Sequence, residues 1–172
     1  MGTFHEFSEC PVLADMAREA DHVHVLRTVC RKSLREFLAA TLSYMPGWMR
    51  FLYRVRWGFV RMLGARQEDV PRRHDMAPED VSFVPGEPAS FFTVVGGEEN
   101  RYWLAQATDE LITGSVGVVA QPLPGGETRF LLVTLVRFRR WTGRVYFAVI
   151  TPFHHLVVNC MLREAAKPRA RE

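Results

Sequence analysis

The sequence predicts an α+β domain in which a curved antiparallel sheet wraps around one long C-terminal helix, with two short helices after the first strand. Three observations predict it. Strand and helix signals are segregated along the chain, which disfavours a parallel βαβ arrangement. Five short apolar stretches between residues 81 and 138 are separated by turn signals, as in an antiparallel meander. Finally, "GRVYFAVITPFHHLVVNCMLREAA" (143–166) is apolar-rich and helical in pattern. At 1.5 Å per residue it makes a helix of roughly 36 Å, long enough to lie along the strands.

Residues 1–19 read as a partly acidic lead-in, residues 20–166 as the domain and 167–172 as a charged tail. "HVHVLRTV" (22–29) alternates: Val23, Val25 and Val29 face one way, His22, His24 and Leu26 the other, which predicts a strand. Ser33 with Glu36 three residues on forms a capping box, so a helix starts there and ends before Pro46-Gly47. From Trp48 to Leu63, Trp48, Phe51, Leu52, Val55, Phe59, Met62 and Leu63 share one face, with Arg50, Arg54 and Arg61 opposite. The expectation is an amphipathic helix with its apolar side on the core and its arginines in water.

"RQEDVPRRHDMAPED" (66–80) reads as a loop. The meander follows as "VSFV", "SFFTVV", "RYWLAQAT", "ITGSVGVVAQP" and "TRFLLVTLVRF", with the double glycines of "GGEEN" and "LPGGE" expected in turns. The last of these strands is apolar on both faces: Phe130, Leu132, Thr134 and Val136 on one, Leu131, Val133 and Leu135 on the other. It is expected to be covered twice, by another layer or by a second subunit through the sheet. Pro152 inside the C-terminal helix removes a hydrogen bond to Ala148 and predicts a kink.

Composition excludes several classes. The 22 Lys+Arg against 19 Asp+Glu leave a charge of +3, too little to imply nucleic acid. Cys10, Cys30 and Cys160 are too few and too widely spaced for a disulfide framework or a zinc site, which points to reduced thiols in the cytoplasm. "MGTFHE" has Glu where a myristoylation site needs Ser or Thr, and the N-terminus has no signal-peptide core. Residues 145–162 are long enough for a bilayer span, but Pro152, two histidines and Asn159 interrupt them, leaving peripheral membrane contact open.

The segments "LREFLAATLSYMPGWMRFLYRVRWGFVRMLG" and "GRVYFAVITPFHHLVVNCMLREA" resemble a bacterial family of unknown function, and through it the helix-grip superfamily of START, polyketide-cyclase and birch-pollen-allergen-like proteins (SRPBCC). The resemblance covers roughly residues 20–166. It rests on a Trp after Pro-Gly, an Arg-rich second helix and a Pro-Phe-His-His-Leu helix, none of them a catalytic signature. It implies a cavity between helix and sheet that takes a hydrophobic small molecule or lipid. Some members are enzymes and many only bind, so no catalytic residue carries over and no cofactor is implied.

The candidate ligand-binding residues are His154, Trp103, Thr134, Phe153 and Trp48. Adjacent helical residues are 100° apart, so His154 and His155 cannot chelate one metal from one face. His154 shares its arc with Phe147, Ile150, Val158 and Met161 and is expected at the cavity, as a ligand contact or as the acid/base of a cyclase- or hydrolase-like enzyme. His155 shares its arc with Thr151 and Asn159 and is expected to face water. His22 and His24 have a spacing that some metal sites use, but no third ligand lies near in sequence, and a surface strand is the expectation. Thr134 would address a ligand's polar atom. Trp103 would form part of a cavity wall, Phe153 another, and Trp48 a plug at its end.

Overall fold

The computed structural model describes residues 10–62 and 76–168. In chain order these form α1 (Pro11–Arg18), β1 (His22–Cys30), α2 (Leu34–Ser43), α3 (Gly47–Met62), a 3-10 turn (Pro78–Asp80), β2 (Pro88–Ala89), β3 (Phe92–Glu98), β4 (Tyr102–Thr108), β5 (Ile112–Leu123), β6 (Glu127–Phe138) and α4 (Trp141–Ala166). One six-stranded antiparallel sheet runs β1-β6-β5-β4-β3-β2. With α4 against the sheet and two helices after the first strand, the fold is the expected α+β helix-grip. Most of the 66–80 loop, Leu63, the first nine residues of the lead-in and 169–172 of the tail lie outside the described residues.

Local signals explain most boundaries. The Ser33 side chain accepts from the Glu36 amide at 3.3 Å, and the Glu36 carboxylate accepts from the Ser33 amide at 2.9 Å, closing the capping box of α2. Gly125 and Gly126 turn β5 into β6 with φ of 86° and 77°, a region glycine enters without steric cost. The other double glycine behaves differently. Gly96 and Gly97 lie inside β3, beside a register shift between Val94 and Gly96. A Cβ on Gly97 would sit 2.7 Å from the Phe83 ring, so the pair serves a bulge and a close contact, and Asn100 (φ 63°) makes the turn.

The two faces of β6 part as the alternation predicts. Phe130 and Leu132 pack against α2, β4, β5 and the end of α4, with Phe37 stacked on Phe130 at 4.2 Å. On the outer face, Leu131, Val133 and Leu135 meet Leu13 and Ala17 of α1. Residues 11–18, read from the sequence as lead-in, are thus the second layer, and the outer face that suggested a partner subunit is covered from within the chain. Gly117 makes room for this contact, since its Cβ would lie 3.0 Å from Leu13.

Two further expectations are corrected. "VSFV" is not a strand; Val81 packs into the core and its carbonyl accepts from Arg35 at 2.7 Å, so its hydrogen bonding goes to a side chain instead of a ladder. The apolar stripe of α3 does not face the core: only Met49 and Val60 of that helix are buried, while Phe51, Val55 and Met62 are more than half exposed. The physical reason is that α2 and the two ends of α4 already form the buried cores on the inner face of the sheet, so α3 meets its open middle, where Leu52 and Phe59 turn inward.

As expected, α4 runs as one helix through Pro152. Its buried residues fall into two groups, Gly143, Tyr146 and Phe147 near the start and Val158, Leu162 and Ala165 near the end. The first group packs with Leu111, Ile112 and Val136, the second with α2 and β4–β6. Lys32 donates to the Ala165 carbonyl at 2.6 Å, a cation at the negative end of the helix.

Two substitutions test these contacts. A Cβ at Gly143 would lie 2.4 Å from the Leu111 carbonyl oxygen, so Gly143→Ala is expected to destabilise by about 1–3 kcal/mol through forced displacement of backbone. Leu13 is fully buried, so Leu13→Ala should cost about 2–5 kcal/mol. Urea unfolding followed by circular dichroism measures both, and an unchanged midpoint for Leu13→Ala would show that α1 does not dock.

Candidate functional site

Between the two anchored ends of α4 the inner face of the sheet is left uncovered, and a cavity of about 1130 Å³ occupies the gap. Its walls come from α3 (Leu52, Val55, Phe59), the strands β3 to β6 (Val95, Val116, Leu132, Thr134) and α4 (Val149, Ile150, Phe153, Val157, Met161). The lining is mainly apolar, with a few polar groups at distinct places.

One polar group is His154. It lines the cavity, and its Nε2 is buried with no hydrogen-bond partner among the described residues. Burial, then the neighbouring His155, His24 and His22, lowers its pKa from 6.5 to about 4, so the ring is neutral at physiological pH. A second polar group is Arg56, which extends from α3 to the phenol oxygen of Tyr146 and to Asp109 Oδ2 at 3.3 Å. Asp109 is held in place by its other oxygen, which accepts the amides of Leu111 and Ile112 at 2.8 Å each. Tyr146 is fully enclosed, and burial raises its pKa, so the phenol stays protonated.

Of the residues expected from the sequence, His154, Thr134 and Phe153 line this cavity. Thr134 is buried on the inner face of β6, and Phe153 lies at the rim, about half exposed. Trp103 is corrected: it is buried in the core beneath α2, with its indole N–H bonded to the Ser82 carbonyl at 2.9 Å. Tyr102 faces the outer layer instead. Trp48 is also corrected. It stands partly exposed at the start of α3 and contributes nothing to the lining.

The remaining histidines depart from expectation together. The ring of His155 stacks on His24 at 4.2 Å and lies 6.4 Å from His22, so it faces β1 and not water. His22 and His24 face α4, with His22 against Phe147 at 4.9 Å. Burial is the first cause lowering the pKa of both, and His155 the second. Each ring of this seam has one buried nitrogen without a partner: Nε2 of His22 and His155, Nδ1 of His24. The rings stack side by side, and among the described residues no group of three or more His, Cys, Asp or Glu is placed to hold a metal ion.

The reason is positional. β1 lies beside β6 at the edge of the sheet, so α4 is flanked as well as underlain, and a wider arc of the helix is covered than a flat sheet would cover. The alternation of β1 already put His22 and His24 on the face of Leu26, which was a signal for the inner side. Arg56, Tyr146 and Asp109 gave no such signal, since they meet only through the tertiary fold.

Comparison with known proteins gives several weak structural likenesses. The Mll3558 protein from Rhizobium loti overlaps with a TM-score of 0.40 at 10% identity, covering 83% of this chain and 96% of that one. The Zhui aromatase/cyclase from Streptomyces sp. R1128 overlaps with a TM-score of 0.33 at 13% identity, covering 84% and 94%. No curated protein matches the chain at a significant level. The match that spans most of the sequence, residues 16–161, is to a family described as a protein of unknown function (DUF2867), and the chain belongs to that family.

Proposed function

We propose that the chain binds a hydrophobic small molecule or lipid, bearing at least one polar group, in the cavity between α4 and the sheet. The observation that carries this reading is the cavity itself: about 1130 Å³, mainly apolar, with the unpartnered Nε2 of His154 on its wall. Ligand sites are typically apolar clefts of about 300–1,000 Å³ with a few placed polar groups, so both the size and the lining fit. A buried nitrogen without a partner is costly, and a ligand hydroxyl or carbonyl-bearing group would satisfy it. Arg56 with Tyr146 offers a second polar contact on the cavity lining. The three unpaired cysteines suit a reducing compartment such as the cytoplasm. An acid/base role for His154 draws less support, because no hydrogen-bonded group orients Nε2.

Extraction of the natively purified protein followed by mass spectrometry should release a hydrophobic compound in stoichiometric amount. Val116→Trp, which fills the cavity from its sheet wall, should abolish that retention and weaken binding of a solvatochromic apolar dye by roughly tenfold or more, as expected when a pocket is occupied by protein. Equal dye binding by wild type and Val116→Trp would exclude the cavity as the site.

A neutral buried His154 also sets a pH dependence. Its folded pKa, about 4, lies below the unfolded value of 6.5, so the unfolded chain binds the extra proton between them. Stability contributed by the neutral ring is therefore complete above the unfolded value and declines as pH falls towards about 4. Between about pH 7 and pH 5 the loss should be on the order of 2 kcal/mol, with His22 and His24 adding to it in the same direction. Urea unfolding of wild type and His154→Gln at both pH values measures it; the variant should lose clearly less, and identical losses would mean that His154 is not held neutral.

A further inference from the structure

Five large apolar side chains on the cavity wall are also exposed: Val55, Phe91, Val95, Val149 and Phe153. They belong to α3, the turn before β3, β3 itself and α4, so together they outline the mouth. Two exposed apolar stripes continue outward from it at helical spacing. Phe51 and Trp48 extend the line of Val55 along α3, and Val145 and Trp141 extend the line of Val149 along α4. A contiguous apolar surface of this kind marks a contact site.

Charge identifies the partner. α3 and residues 141–162 of α4 contain five arginines (Arg50, Arg54, Arg56, Arg61 and Arg144) and neither Asp nor Glu, in a chain where acids nearly balance bases. All but Arg56 are exposed. Arg61 and Arg144 lie over the rings of Trp57 and Phe138, at 5.5 and 5.9 Å, and Arg50 and Arg54 make no ion pair among the described residues. A second copy is a poor occupant, because two-fold docking through α3 would set these arginines against their own images with no carboxylate to pair them. A bilayer with anionic headgroups satisfies both components: aromatic and aliphatic groups enter the headgroup–acyl boundary while arginines meet lipid phosphates.

We infer that the α3–α4 face docks on an anionic lipid bilayer, with the cavity mouth against its acyl region. This adds a partner to the cavity reading and stands or falls without it.

The test is co-flotation of the full chain with vesicles of phosphatidylcholine containing one-third phosphatidylglycerol, against vesicles of phosphatidylcholine alone. The mixed vesicles should bind the wild type roughly tenfold or more tightly, and added salt should weaken binding. Arg50→Glu with Arg54→Glu should reduce binding to the level of phosphatidylcholine alone. Phe51→Ser with Trp141→Ser should also lose about tenfold, through the apolar contribution. Arg18→Glu with Arg129→Glu removes equal charge from other surfaces and should bind as wild type. The inference is overturned if the wild type fails to float with the mixed vesicles, or if the Arg18/Arg129 variant loses as much as the Arg50/Arg54 variant. A dimer in light scattering that the Phe51/Trp141 variant disperses would overturn it in favour of a second copy. Dye binding in the cavity is measured on the same proteins, so docking can fail while the cavity reading survives.

Discussion

Nine residues of β1 run antiparallel to β6, from His22 opposite Val136 to Cys30 opposite Thr128, and so join the first strand of the chain to the last. Such a pairing closes a loop of roughly a hundred residues, an entropic cost that must be offset by what the closure brings together. It brings a great deal. α1 is delivered to the outer face of β6, α2 to the inner face, and His22 and His24 to the flank of α4. Without that ladder β6 would be an edge strand with both its apolar faces open.

The interior between sheet and α4 is not filled. One core forms under α2 and the end of α4, another where the start of α4 meets Leu111, Ile112 and Val136, and neither extends into the middle. An apolar void forfeits dispersion contacts along its walls, so a cavity of this size lowers the stability of the empty fold. The cores at either end are closed and well packed, so the protein tolerates it. That arrangement separates the parts that hold the fold from the parts that face a guest.

The fold was legible because its signals are local and periodic. The capping box at Ser33, the glycine turn at 125–126, the double apolar alternation of β6 and the apolar tail each dictate an element without reference to the rest. α1 was harder: at eight residues its stripe of Leu13, Met16 and Ala17 is too short to stand out from an acidic surrounding. The outward stripe of α3 misled for another reason. Periodicity reports that a helix has an apolar side, and is silent on whether the domain has a place left for it. In the site, His154 and Thr134 followed from facing rules on single elements. Trp103 failed because a residue on the inner face can lie under α2 or under the cavity, and only packing decides which. His155 failed because one helix arc was judged against a single flat neighbour. The Arg56–Tyr146–Asp109 contacts join residues up to ninety positions apart, beyond any pattern along the chain.

The two groups of buried residues on α4 make it a beam resting on two abutments. Between Phe147 and Val158 none of its side chains is fully buried, and this span crosses the cavity, touching β1 at its flank where His155 stacks on His24. Pro152 sits near its midpoint and removes one rung of the helical ladder there. Shifting either abutment would open a core, so a change in the height of the chamber falls on the span. The helix that roofs the cavity is therefore stiff where it holds the sheet and weakest in bending directly above the space a guest would occupy.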